Sequence, residues 1–214
     1  APGLQRSGTP SRQDRRPPEP QRPAIPTMPS SANPPHVVII GGGFAGAAVA
    51  LRLLKDAKRP RRLTVIEGRA QIGLGVAYST AHPEHLVNGP ARVFSAYDDD
   101  PEHLVRWLGR HGEPRGWRPS PGTAIADSLP PRQLYGAYVR ETLFDAIEEA
   151  GGTVSFNHRR GRAVDVARQA DAPSGTTRYR VSLASGDHED ADVVVLATGT
   201  HPRRLAWPGI DVDP

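Results

Sequence analysis

Cysteine is absent from the sequence, and so are long apolar runs. Without cysteine there is no structural disulfide, no thiolate metal site and no cysteine nucleophile, and disulfide reductases that work through a cysteine pair are excluded. No apolar run reaches the roughly 20 residues that a membrane-spanning helix needs, and no signal peptide is visible. These absences lead us to expect a cytoplasmic protein that does not bind a membrane.

Excess positive charge is concentrated in the first 35 residues. The formal net charge is +4, but this segment holds five arginines against Asp14 and Glu19, which leaves about +1 for the rest. A nearly neutral body without a basic groove argues against nucleic acid binding. Because the segment is rich in proline and polar residues, we expect residues 1–35 to be a disordered tail and 36–214 to be the folded domain. The sole methionine, Met28, precedes the first predicted strand, and our hypothesis is that the natural protein starts there.

The body of the sequence predicts an α/β fold. Residues 36–40 and 63–67 are predicted strands on either side of a helix over 44–56, and 192–196 is a predicted last strand. The strands 36–40 and 192–196 are uniformly apolar, which suits a parallel sheet covered on both faces. The other predicted elements are a helix from Asp100 to Gly112, a helix over 132–150, and short strands near 153–157, 162–168 and 178–184 that end in a small β meander.

A glycine motif joins the first strand to its helix. Gly41, Gly43 and Gly46 fit the spacing G-x-G-x-x-G, and the motif follows a predicted strand and opens a predicted helix. In such a motif the first glycine permits a tight turn, the second lets a pyrophosphate approach the backbone, and the third lets the helix pack against the sheet. The N–H groups at the start of the helix then favour an anion. Gly42 is the one glycine of the run that this spacing does not require.

Glu67 and two later segments narrow the choice of dinucleotide. Glu67 ends the second predicted strand, where an acidic residue accepts a ribose 2′-hydroxyl and repels a 2′-phosphate, so we do not expect NADP in this site. NAD and FAD share the glycine motif. FAD is favoured by a second glycine turn, Gly73–Tyr78, which can lie along an extended cofactor beyond its adenosine half. It is also favoured by the small-residue turn in "DVVVLATGTHP", residues 192–202, where backbone can approach the cofactor.

Five segments follow one another in the chain: "VVIIGGGFAGAAVALRL", "VIEGRAQIGLGVAYST", "HLVNGPARVFSAYDDDPEHLVRWL", "PPRQLYGAYV" and "VVVLATGTHP". In this order, over about residues 36–202, they resemble the bacterial FAD/NAD(P)-binding proteins related to the flavin-dependent N-hydroxylating monooxygenases. The resemblance implies a Rossmann-like FAD-binding domain with noncovalent FAD. It also implies an oxidoreductase, monooxygenase-like and with NAD(P)H as possible co-substrate, whose substrate and oligomeric state stay unknown.

The resemblance also implies roles for individual residues. The three motif glycines would hold the pyrophosphate, Glu67 the ribose, and backbone at Ala163 or Val164 the adenine. The segment around Gly75–Tyr78 and Asn88 would line the flavin side, and the ATG turn would close over the cofactor. The full set of cofactor-binding candidates is Gly41, Gly43, Phe44, Ala45, Gly46, Glu67, Gly68, Gly75, Val76, Tyr78, Asn88, Val164, Ala197, Thr198 and Gly199.

The sequence departs from this family in length. Proteins of this kind continue past the ATG turn into a second nucleotide-binding segment, whereas this sequence ends at Pro214 and shows no second G-x-G-x-x-G. We therefore expect a truncated gene, a fragment or a partial chain. A non-catalytic FAD- or nucleotide-binding module remains open as the alternative, and the ATG turn argues against a third possibility, an NAD-dependent dehydrogenase.

The remaining candidates for chemistry have structural interpretations. His82 and His85 flank a proline and lack a third ligand, so we predict loop histidines and no metal site. The run Asp98 to Asp100 lacks calcium-site spacing, and Asp100 is predicted to cap the helix that follows it. No residue stands out as an acid or base catalyst, and no nucleophile elbow indicates a hydrolase.

Three further side chains have two interpretations or a structural one. Trp107 is predicted to be core together with its neighbour Leu108. Arg132 can meet a flavin phosphate or a substrate carboxylate, or it can be a solvated arginine. Tyr78 lies near the flavin ring or is a packed loop aromatic.

Overall fold

The computed structural model describes residues 34–170 and 178–199, and the backbone pairing of 206–207 with 210–211. The predictions for the tail up to residue 33, including the start at Met28, therefore lie outside the described residues, as does the end of the "ATGTHP" segment from residue 200 onward. The two short pairing segments are β8 and β9, defined below, and they form a separate antiparallel pair.

Four parallel strands form the central sheet in the order β3–β2–β1–β7. These strands are β1 (His36–Ile40), β2 (Arg61–Glu67), β3 (Val154–Arg160) and β7 (Val193–Leu196). The chain leaves β1 for β2 and β3 on one side and returns to β7 on the other, so the strand order reverses at β1. In open α/β sheets, ligands bind beyond the carboxyl ends of the strands at this reversal, which is where the glycine motif begins.

Helices cover one face of this sheet. The helices are α1 (Phe44–Lys55), α2 (Gly75–Tyr78), α3 (His103–His111) and α4 (Arg132–Ala150). Val37 and Ile39 of β1 point toward them and join a core with Tyr135 and Tyr138 of α4. The predictions of α1 and α4 are confirmed, as is the burial of Trp107 with Leu108. Within the described ranges, no helix combines the length and apolar composition needed to cross a membrane.

A small antiparallel sheet covers the other face. Its strands, in the order β4–β5–β6, are β4 (Ala163–Arg168), β5 (Tyr179–Leu183) and β6 (His188–Ala191), while β8 (Ala206–Trp207) pairs only with β9 (Ile210–Asp211). Alternate residues of the parallel strands pack on it in a second, smaller core of Val38, Ile40, Ile66, Val181, Leu183 and Ala191. The predicted meander and the covering of both faces are confirmed. The strand β6 was not predicted, and the first short strand near 153–157 belongs to the parallel sheet as β3.

His36 is a buried polar side chain at the seam of the two sheets, 3% exposed. Its Nδ1 donates to the backbone oxygen of Asp190 on β6 at 2.7 Å, and the Thr64 hydroxyl on β2 donates to its Nε2 at 2.8 Å. Burial lowers the pKa of His36 below its ordinary value, because a charged ring would lose its hydration there. The neutral ring therefore ties β1, β2 and β6 together.

The prediction that Asp100 caps α3 is wrong. The helix begins at His103, the preceding Glu102 makes no side-chain cap, and the Asp100 carboxylate pairs instead with the guanidinium of Arg106. A charge-assisted bond to a guanidinium is stronger than a bond to a backbone amide, which explains the preference. The predicted end of the helix at Gly112 is confirmed.

The expectation that the last parallel strand is buried is also wrong. Val193 is 37% exposed and Leu196 is 69% exposed on β7. The physical reason is position, since β7 pairs with β1 on one side while no strand among the described residues pairs with its other edge.

Candidate functional site

The first glycine turn is closed by the protein's own backbone. Gly41 has φ of 102°, and a Cβ added there would lie 2.2 Å from the carbonyl oxygen of Ala197. A Cβ added to Gly46 would lie 2.0 Å from the carbonyl oxygen of Gly41. Such separations are far inside van der Waals contact, so these two motif positions accept only glycine.

Gly43 differs from the other motif glycines because its surroundings are open. A Cβ built there would meet nothing closer than the Cα of Gly75, at 3.3 Å. Gly43 stands immediately before α1, whose first turn has no side-chain cap and no acidic residue. The first intrahelical bond runs from Ala47 N to Gly43 O at 2.9 Å, so within the described chain the amides of residues 44–46 have no acceptor. Unpaired amides at a helix start, beside a position without a side chain, fit a diphosphate.

Gly42 is required by packing, although the motif spacing does not require it. A Cβ at this position would lie 2.7 Å from Cβ of Glu67 and 2.9 Å from Cγ2 of Ile72. Its N–H donates to Oε2 of Glu67 at 2.9 Å. The third glycine of the run therefore brings the loop against the carboxylate that ends β2.

Glu67 has a structural duty that does not exhaust its carboxylate. Besides Gly42 N, it accepts a bond from Arg69 N at 3.0 Å through Oε1. An ionised carboxylate offers about four acceptor positions, so about two are left for ribose hydroxyls. Its backbone oxygen accepts from Gly161 N at 3.1 Å, and a Cβ on Gly68 would lie 3.8 Å from the oxygen of Gly161. The end of β2 thus lies beside the connection from β3 to β4.

The second glycine turn lies directly against the first. Gly73 N donates to Gly42 O at 2.7 Å. Gly75 has φ of 58°, and a Cβ on it would lie 3.2 Å from Cα of Gly43. The prediction that this turn extends the site beyond the first turn fits this contact, and the turn continues into the short helix α2.

Gly136 is a site-supporting residue that the sequence interpretation missed. It lies in the middle of α4, and a Cβ there would be 2.7 Å from the oxygen of Tyr78 and 2.8 Å from Cδ2 of Leu74. The signal was available, because a glycine inside a helix costs about 1 kcal/mol relative to alanine and calls for a packing reason. Here the reason is the close seating of α2 on α4.

Tyr78 belongs to an aromatic cluster beside the turns. Its ring centroid lies 5.6 Å from that of Phe44 and 4.7 Å from that of Tyr135, and Phe94 lies 5.6 Å from Tyr135. Burial raises the pKa of Tyr78, so its hydroxyl stays protonated near neutral pH. The interpretation as a packed aromatic is confirmed, and Phe44 keeps part of its ring exposed at the start of α1. On α2, Val76 is largely exposed.

Arg132 and Asn88 occupy the margin of this cluster. The Arg132 Nε donates to the backbone oxygen of Leu86 at 2.9 Å, so this side chain anchors the loop that precedes Asn88. Asn88 is exposed next to buried Val87, and no contact joins it to the glycine turns among the described residues. It is connected to them only through its neighbour Gly89, which packs near Phe94.

The remaining candidates lie at the same edge of the sheet. Ala197 N donates to Ile40 O at 2.8 Å, which holds the ATG turn against the end of β1, and Thr198 and Gly199 are exposed there. Val164 is 56% exposed at the start of β4, three residues after Gly161. The ends of β1, β2, β3 and β7 therefore bring the predicted set to one edge, with Asn88 at its margin.

The two histidines of the loop after α2 lie near each other. The rings of His82 and His85 are 5.1 Å apart, and the hydroxyl of Thr80 lies 2.7 Å from Nδ1 of His85. Among the described residues, no group of three or more His, Asp or Glu side chains is arranged to hold a metal ion.

Comparison with known protein families gives one match. A family model described as FAD-NAD(P)-binding matches residues 38–201. No curated protein sequence matches the chain.

Solved structures match the chain over part of their length. The open structure of cyclohexanone monooxygenase is 15% identical with a TM-score of 0.49, and the match covers 77% of this chain and 26% of that one. The salicylate hydroxylase substrate complex is 19% identical with a TM-score of 0.40, and the match covers 79% and 37%. A putative thioredoxin reductase from Bacillus anthracis is 13% identical with a TM-score of 0.40, and the match covers 81% and 39%. The chain thus spans well under half the length of each.

Proposed function

We propose that this chain, which belongs to the FAD-NAD(P)-binding family, holds FAD at the carboxyl edge of its parallel sheet as part of a flavin-dependent oxidoreductase. One observation carries the proposal. The unpaired amides at the start of α1 face an opening beside Gly43, and the carboxylate of Glu67 stands next to that opening with acceptor positions to spare.

Each part of a dinucleotide has a matching group along this edge. The amides of residues 44–46 suit the pyrophosphate, and the carboxylate of Glu67 suits a ribose diol. Exposed backbone around Val164 suits the adenine, and the second glycine turn with Tyr78 suits the flavin side. When bound, FAD supplies the redox chemistry, and the protein supplies position and electrostatics.

The chemistry of Glu67 also separates the two nucleotides of the proposed reaction. A carboxylate at the ribose repels a 2′-phosphate, so NADPH does not compete for this edge and acts as a co-substrate if it is used. The protonated hydroxyl of Tyr78 can donate a hydrogen bond to a ligand but does not serve as a base near neutral pH.

Three finer statements belong to this proposal. The activity is monooxygenase-like and related to the N-hydroxylating flavoenzymes, on the strength of the five ordered segments. The substrate is a small molecule whose class the site does not specify. The location is the cytoplasm, which fractionation of native cells would test.

Binding of FAD is the first test, with Gly43→Ala as the decisive variant. Bound flavin gives an absorbance band at about 450 nm, a property of the cofactor itself. Because a methyl group at Gly43 meets only Gly75, we expect Gly43→Ala to fold and to bind FAD about tenfold more weakly or worse. Gly152→Ala is the matched control, since a Cβ there meets nothing within 4 Å, and it should bind FAD like the wild type.

Two results would overturn the proposal. One is wild-type protein that takes up no FAD on reconstitution, and the other is tight NAD binding that FAD does not displace. Anaerobic addition of NADH or NADPH then distinguishes an oxidoreductase from a binding module, because only the former loses its flavin absorbance band on reduction.

A further inference from the structure

A cavity lies at the opposite edge of the sheet from the glycine turns. Its volume is about 460 Å³, and its walls are the carboxyl end of α1, the last turns of α4 and the segment from Tyr97 to His103. These helix ends lead into the first residues of β2 and β3, so the cavity lies at the amino edge of the sheet. Its volume falls within the range of small-molecule sites.

Two carboxylates on α4 face this cavity. Asp145 and Glu149 are four residues apart, so they lie on one face of the helix one turn from each other. In the described part of the chain, no cation forms an ion pair with either of them. Glu141 on the same helix contrasts with them, because it accepts bonds from Arg115 and from Trp107 Nε1. The two cavity carboxylates are therefore available to a ligand.

The cavity wall already holds one ammonium group of the protein. The Lys55 Nζ lies 4.5 Å from the centroid of the Tyr97 ring and donates to Asp99 Oδ2 at 2.7 Å. This arrangement combines an aromatic face with a carboxylate, which is how proteins recognise ammonium ligands. Burial, with the nearby charges of Glu149 and Asp145, raises the pKa of Tyr97 to about 12, which reflects the negative potential around the ring.

A buried hydroxyl is the second independent feature. Thr142 lines the same cavity one turn before Asp145 and is 2% exposed. Its Oγ1 is buried without a hydrogen-bond partner in the described structure. Buried polar atoms are nearly always bonded, so an orphaned hydroxyl in a cavity wall points to a missing partner.

We propose that this cavity binds a small organic cation, an alkylammonium compound, between Asp145 and Glu149. The alkyl stem packs on the apolar wall formed by Leu54, Ala146 and Ala150. The site is separate from the glycine turns, and its occupation does not depend on FAD.

Calorimetric titration with n-pentylammonium, and with pentan-1-ol as the neutral compound of equal length, tests the proposal. The ammonium compound should bind at least about tenfold more tightly than the alcohol, since two carboxylates contribute about 0.2–1 kcal/mol each. The double variant Asp145→Asn/Glu149→Gln should lose that advantage. Glu148→Gln is the matched control, because Glu148 is exposed beside Glu149 but does not line the cavity. It should bind like the wild type.

Three results would overturn the inference: no binding of the ammonium compound, equal binding of the alcohol, or equal weakening by Glu148→Gln. Flavin absorbance and the unfolding temperature are recorded for each sample. A variant that keeps both and loses the ammonium compound supports the site, whether or not the FAD proposal holds.

Discussion

The two edges of the parallel sheet are built from different materials. At the carboxyl edge, backbone atoms approach so closely that a single added methyl group would overlap a carbonyl oxygen, as at Gly46. At the amino edge, side chains of Tyr97, Asp145 and Glu149 enclose an open volume. A backbone-built site is sensitive to added atoms, whereas a side-chain-built site is sensitive to charge. The comparison predicts which substitutions damage each edge.

Gly46→Ala should have the largest effect. Helix propensity alone predicts a gain of about 1 kcal/mol, because Gly46 lies inside α1. The overlap with Gly41 O reverses the sign and should cost about 3 kcal/mol or more of unfolding free energy. Gly109→Ala in α3 is the control, since a Cβ there meets only Ile125 at 3.8 Å and should stabilise. Equal changes in urea unfolding for the two variants would contradict the backbone-built description.

Glu67→Gln tests the one side chain on which the carboxyl edge depends. A glutamine offers a single acceptor oxygen, so one of the N–H groups of Gly42 and Arg69 loses its partner. We expect a loss of about 1–3 kcal/mol in stability, together with weaker FAD binding. Glu84→Gln, on the exposed loop, should change neither the unfolding curve nor the flavin titration.

His36 makes the amino end of β1 sensitive to pH. Its pKa is lowered in the folded state, so above pH about 6.5 the ring is neutral in both states and adds no pH dependence. Below that pH the unfolded chain takes up a proton that the folded chain resists, and stability falls by at most about 1.4 kcal/mol per pH unit. The slope should shrink in His36→Asn and stay unchanged in His82→Asn. The remaining slope includes His103, whose pKa burial also lowers.

Asp145→Asn should have the smallest effect and the opposite sign. Like charges four residues apart on a helix repel, so removing one should stabilise the protein by about 0.2–0.5 kcal/mol. Thermal unfolding in low salt measures the change. A clear loss of stability would mean that the cavity carboxylates serve the fold, which would weaken the contrast between the two edges.

The carboxyl edge could be predicted from sequence because its constraints act on the backbone. Gly41 and Gly46 are imposed by close approach, and close approach leaves glycine at fixed spacing. The apolar runs of β1 and β2 likewise follow from burial on both faces. Local patterns of this kind appear within a few residues of one another in the chain.

Features that depend on tertiary neighbours were not predictable in the same way. Asp100 has the composition of a cap, but Arg106 on the next turns competes for it successfully. The exposure of Leu196 follows from the edge position of β7, which its apolar sequence does not reveal. The cavity joins segments around residues 55, 97 and 145, and no spacing in the sequence marks their meeting.

The hydrogen bonds of Gly42 have a thermodynamic consequence. Its N–H is held by Glu67 and its carbonyl oxygen by Gly73, so both glycine turns have their shape before any ligand arrives. A preorganised receptor loses little conformational entropy on association, and more of the contact energy then appears as affinity. Amide hydrogen exchange at Gly42 and Gly73 should already be slow in the ligand-free protein.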